Sequence, residues 1–137
     1  MNHAVTIAVY EPDRLTASLI HVVLQRLGYA VKLCRDAEET QRIIREERPH
    51  LALIDLYSPG NNGLRLVHDA RTADVPVIVI SAMGFSEVVC KAAGFGAVDF
   101  IVKPIDSALL AERVERALTN TRPANSVSFK IQPTQAD

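Results

Sequence analysis

At 137 residues the chain fits one domain large enough to bury a core of its own. Its 15 basic and 16 acidic side chains leave a formal charge of −1, so no positive field is available to hold nucleic acid or an anionic membrane. Apolar residues make up 48% of the chain, but no apolar run approaches the roughly 20 residues that cross a bilayer, and Glu11, Asp13 and Arg14 interrupt any secretion-signal pattern, so the cytoplasm is the expected location.

Strand and helix patterns alternate five times. A first strand at about 5–10 runs into Glu11-Pro12-Asp13, and a helix follows over about 13–27. Leu15, Leu19, Val22, Val23 and Leu27 recur there at helical spacing and are expected to face inward, with Gly28 as the stop. Pro12-Asp13 reads as a proline-led helix start. A second strand at about 30–34 precedes a helix over about 37–47. That helix opens with Asp36 and Glu39 in capping-box spacing, buries Ile43 and Ile44, and exits at Pro49. The third strand, about 51–55, is the apolar run Leu51-Ala52-Leu53-Ile54 closed by Asp55. The turn-rich Ser58-Pro59-Gly60-Asn61-Asn62-Gly63 then leads to a helix at about 63–71.

A fourth strand, about 76–81, ends on Ser81 and is followed by a helix over about 86–93. A fifth, about 98–102, ends on Lys103-Pro104. The last helix, about 106–119, carries the stripe Leu110, Val114 and Leu118, with Asp106 or Ser107 as cap. The middle strands are almost wholly apolar, as parallel strands covered on both faces are. The expected fold class is α/β, a (βα)5 doubly wound five-stranded parallel sheet. Residues 1–120 read as one domain. Residues 121–137 read as a flexible tail, too short for an output domain, in which only Val127–Ile131 could form a strand. Cys34 and Cys90 show no metal or redox spacing and read as reduced, packed thiols. The four histidines fit no ligand spacing, and Glu46-Glu47-Arg48 reads as a solvated face.

Parallel strands point the same way, so Glu11, Asp55, Ser81 and Lys103 should converge at one sheet edge. Crowded carboxylates repel, and a hard divalent cation with oxygen ligands is the usual remedy; magnesium, which needs only one or two carboxylates, suits the site best. Such a cation would also neutralise an incoming phosphoryl group and leave Asp55 as nucleophile. Ser81 could donate a hydrogen bond to a phosphoryl oxygen and Lys103 could pair with it, an assembly suited to phosphoryl transfer onto a carboxylate.

These motifs give the chain a specific resemblance. The acidic turn after the first strand, Leu53-Ile54-Asp55-Leu56 with Pro59-Gly60 and Gly63, Ser81-Ala82 and Lys103-Pro104 follow one another as in a response-regulator receiver domain of two-component signalling, over residues 4 to about 119. The resemblance implies a flavodoxin-like receiver fold that is not an enzyme. It makes Asp55 the phospho-acceptor, served by a histidine kinase or phosphotransfer protein in a phosphorelay. Ser81 stands at the family's Ser or Thr position, and Lys103, before a proline whose peptide is often cis in the family, would pair with the phosphate. Phe100 takes the aromatic switch position, and the face made by helix four, strand five and helix five would bind a downstream protein; a homodimer stays open. By the same resemblance the metal set is Glu11, Asp55 and the Tyr57 carbonyl. The departure is Pro12, which stands where the family has its second acid, a direct metal ligand; Mg2+ binding should be weakened or lost.

Two other readings compete. A pseudo-receiver would keep the fold and its binding face without phosphorylation, and Pro12 favours it. A flavodoxin-like cofactor binder would need a Ser-, Thr- or Gly-rich loop after the first strand, where Glu11-Pro12-Asp13 is acidic and short of one amide. A DNA-binding role is not expected, since no recognition-helix pattern follows residue 119.

Overall fold

A computed structural model describes residues 4–56, 63–84 and 86–120. Five strands, β1 (Thr6–Tyr10), β2 (Ala30–Cys34), β3 (Leu51–Asp55), β4 (Val77–Ser81) and β5 (Asp99–Val102), form one parallel sheet in the order β2-β1-β3-β4-β5. Five helices alternate with them: α1 (Arg14–Arg26), α2 (Ala37–Glu47), α3 (Gly63–Thr72), α4 (Ser86–Gly94) and α5 (Ser107–Thr119). The (βα)5 expectation holds, with element bounds displaced by no more than a residue.

Period-two alternation along the strands builds two cores. Ile7, Val9, Leu51, Leu53, Ile78, Ile80 and Ile101 pack against α1 and α5 through Ile20, Leu24, Leu110 and Val114. Ala8, Tyr10, Ala52, Ile54, Val77, Val79 and Phe100 pack on the opposite side against α2, α3 and α4. Every residue of β3 and β4 is buried, which explains why these central strands read as unbroken apolar runs.

The helix starts follow from local chemistry. Asp13, Asp36 and Asp106 each accept the backbone N–H three residues on, from Thr16, Glu39 and Leu109. The α2 cap differs slightly from a capping box, because the Glu39 carboxylate takes the N–H of Arg35, one residue before the cap. Gly28 ends α1 with a φ of 91°, a conformation that favours glycine. Pro12 precedes the Asp13 cap rather than occupying the first helical position.

Two expectations are corrected. Leu15, Leu19 and Val22 of α1 and Leu27 just after it are exposed, Leu15 to 83%, whereas Val23 packs against the core and Ile20 and Leu24 are fully buried. The apolar residues of α1 cover more of its circumference than one face, and contact with the sheet selects the Ile20–Leu24 stripe. Both cysteines are free, but only Cys34 is buried; Cys90 is exposed. The loop residues 57–62, the short strand expected at Val127–Ile131 and the rest of the tail lie outside the described residues. Among the described residues no helix is long and apolar enough to cross a membrane.

Candidate functional site

The carboxyl ends of β1, β3, β4 and β5 meet at one edge of the sheet. Strand alternation then sorts the side chains that follow. Glu11 continues the parity of Ile7 and Val9, Asp55 that of Leu51 and Leu53, and Lys103 that of Ile101, so all three lean toward the α1–α5 side. Ser81 carries the opposite parity, that of Val77 and Val79.

The distances agree with this sorting. The Lys103 ammonium lies 3.0 Å from Asp55 Oδ2, and 2.9 Å from Oε1 and 3.0 Å from Oε2 of Glu11. It donates to Asp55 Oδ2 and Glu11 Oε2. Oε2 also accepts the Asp13 N–H at 3.0 Å, while the buried Oε1 has no hydrogen-bond donor among the described residues and meets the ammonium by charge alone. Glu11 and Asp55 are each 6% exposed, so these are partly desolvated, charge-assisted contacts. Burial pushes the Glu11 carboxyl above its ordinary value, with Asp55's negative charge adding to the effect, against bonds from Lys103 and Asp13. Burial works against the Lys103 ammonium, but its bonds to Glu11 and Asp55 overcome this and hold the amine above its ordinary value.

Ser81 is fully buried, and its Oγ accepts the Met83 N–H at 3.0 Å, which leaves the hydroxyl hydrogen available. Its carbonyl accepts the Lys103 N–H at 2.8 Å, tying the two strand ends together. The Lys103–Pro104 peptide is cis. Phe100, 8% exposed, packs in the core with Val88, Val89 and Ala92 of α4. Gly63 opens α3 directly against Leu56: a Cβ there would stand 2.3 Å from the Leu56 carbonyl oxygen, so only glycine lets the helix start this close to Asp55.

The structure therefore brings Glu11, Asp55 and Lys103 into direct contact and sets Ser81 at the same edge. Tyr57, expected to offer its carbonyl, lies outside the described residues. The Lys103–Glu11 bond was missed at the sequence level, where lysine was reserved for an incoming phosphate. Glu11 and Lys103 share a strand parity, but β3 and β4 lie between β1 and β5, so the sequence pattern alone did not pair them.

The Mg2+ ion that the resemblance implies would need oxygen ligands from these residues. Pro12 is exposed and has no side-chain donor atom. Asp13 Oδ2 caps α1, accepting from Thr16 N at 2.9 Å and Thr16 Oγ1 at 2.6 Å. Glu11 and Asp55 are both bonded to Lys103. Among the described residues no group of three or more His, Cys, Asp or Glu side chains is placed to hold a metal ion. The described side chains, with both carboxylates of the site bonded to Lys103 and none supplied by Pro12, do not by themselves fit a magnesium ion.

Comparison with known proteins points one way. The family model for the response regulator receiver domain matches residues 7–115. The phosphate regulon transcriptional regulatory protein PhoB of Pseudomonas aeruginosa is 32% identical over 128 residues, covering 88% of this chain and 55% of that protein. The nitrogen assimilation regulatory protein NtrX of Azorhizobium caulinodans is 34% identical, over 98% of this chain and 30% of that protein. The chain thus spans about half, or less, of these relatives. Among solved structures, a response regulator from Thermotoga maritima superposes with a TM-score of 0.79 at 27% identity, covering 86% of this chain and all of that one. A CheY-like receiver domain protein from Methanospirillum hungatei, at 23% identity and a TM-score of 0.81 over 87% of this chain and 97% of its own, shares the fold.

Proposed function

This chain belongs to the response-regulator receiver family, and on that premise we propose that it accepts a phosphoryl group on Asp55 and passes the signal on by binding another protein. The donor is a histidine kinase or phosphotransfer protein. Receiver domains are signalling modules rather than enzymes, and they interact with histidine kinases and effector domains. The observation that most supports the reading is the 3.0 Å contact between Asp55 and Lys103 at the carboxyl edge of the sheet. It pairs the strand-end carboxylate of Asp55 with a cation that can follow charge onto a phosphoryl oxygen. Asp55 attacks phosphorus, Lys103 transfers its bond from Asp55 to the new phosphoryl group, and the Ser81 hydroxyl donates to a phosphoryl oxygen.

The receiver unit is residues 1–120, acting in the cytoplasm. Its output surface is the α4–β5–α5 face, with Phe100 behind it as the packing switch; a ring without a hydroxyl reports only through packing. Binding of Mg2+ through Glu11, Asp55 and the Tyr57 carbonyl is weakened or lost, because Pro12 supplies no carboxylate.

Treatment with acetyl phosphate, scored by intact mass, is expected to add one phosphoryl group to the wild type and none to Asp55→Asn. No gain with either acetyl phosphate or a cognate kinase would reject this reading. It would leave the second one, a pseudo-receiver that uses the same face constitutively, which Pro12 favours.

A further inference from the structure

Three observations fix the charge balance of the acidic site. Pro12 breaks the run of carboxylates, and Asp13 is held by Thr16 at the start of α1. The Asp13 N–H in turn bonds Glu11 Oε2 at 3.0 Å and orients that carboxylate toward Lys103. Lys103 then lies within 3.0 Å of both carboxylates, on a side chain only 20% exposed. We propose that the Lys103 ammonium is the resident cation of this site, anchored by Glu11, and that phosphoryl transfer to Asp55 needs no divalent metal.

The inference rests on Asp55 being the acceptor and specifies how that site is regulated. In the transfer, an Asp55 carboxylate oxygen forms a bond to the phosphorus of a phosphohistidine. The phosphorus–nitrogen bond breaks, its electron pair stays on the imidazole, and that nitrogen takes a proton from solvent. Nothing is oxidised or reduced. Lys103 releases Asp55 and bonds the phosphoryl oxygen while keeping Glu11, so one ammonium serves both states. Glu11 acts here as a positioning residue: it holds the amine in place through a change of partner.

The test uses the full chain with two readouts. Titration with Mg2+ alone, followed by calorimetry and by the amide shifts of Glu11, Asp13 and Asp55, should show no saturable binding to the wild type. Acetyl phosphate labelling of Asp55 should change by less than about twofold between Mg2+ and excess EDTA. Pro12→Asp should gain Mg2+ binding and lose about tenfold or more of its labelling in EDTA, the scale on which single groups tune a metal site. Saturable Mg2+ binding by the wild type, or labelling abolished by EDTA, would overturn the proposal. If Asp55 takes no phosphoryl group under any condition, the acceptor reading fails, and the Mg2+ titration by itself still decides which cation the site holds.

Discussion

Glu11, Asp55 and Lys103 form a buried charge cluster whose stability depends on completeness. Removing the ammonium leaves two like charges facing each other under little solvent, which costs more than the ion pairs contribute. Lys103→Met is therefore expected to destabilise the fold by about 1–3 kcal/mol, at or below the usual range for buried pairs because the amine is partly solvated. Glu11→Gln in that background should recover part of the loss, because it removes one of the two facing charges. Urea midpoints for the two single variants and the double variant give the coupling; additive effects would show that the groups act independently. The cysteines offer a second contrast. Burial raises the Cys34 thiol above its ordinary value, and its Sγ points to the Lys32 carbonyl, whereas Cys90 is exposed. Iodoacetamide should modify Cys90 in the folded protein and reach Cys34 only on unfolding; equal rates in the native state would contradict the burial assignment.

At the scale of elements, α1 distinguishes packing from periodicity. Leu24→Ala should cost about 2–5 kcal/mol, because Leu24 is fully enclosed between the sheet and α5. Leu15→Ala, at 83% exposure, should move the thermal midpoint very little. A large effect at Leu15 would mean that this stripe is covered in solution. The start of α2 carries a pH dependence. The bond from the Arg35 N–H holds the Glu39 carboxyl below its ordinary 4.5, helped by the Arg35 and Arg42 charges. A depressed carboxyl stabilises the fold above its unfolded value and loses that contribution as pH falls through the folded one. Acid unfolding followed by circular dichroism should therefore be less steep for Glu39→Gln than for the wild type below about pH 4.5. Parallel acid profiles for the two proteins would reject the assignment.

For the whole molecule, the strand order β2-β1-β3-β4-β5 determines both stability and site geometry. β3 and β4 lie inside the sheet, with every residue buried, while β2 is an edge strand with Ala30, Lys32 and Leu33 exposed. Native-state hydrogen exchange should be slowest in β3 and β4 and faster along β2, since edge amides open without global unfolding. Uniform protection across the sheet would argue against this hierarchy. The same order places β1 beside β3, which is what lets Glu11 and Asp55 share one lysine.

The five strand–helix repeats, their near-exact bounds and the caps of α2 and α5 were legible in the sequence, because burial on both sheet faces and capping chemistry leave local patterns of residue type. So was the placement of Asp55, Ser81 and Lys103 at one sheet edge, since parallel strands put their carboxyl ends on one side; the side-chain contact seen there is between Asp55 and Lys103. Two things required the tertiary structure. The inward face of α1 could not be read from its apolar residues, which fit more than one stripe, until the sheet chose Ile20 and Leu24. The Glu11–Lys103 bond joins residues 92 positions apart and exists only because strand parity aims both side chains into the same desolvated space.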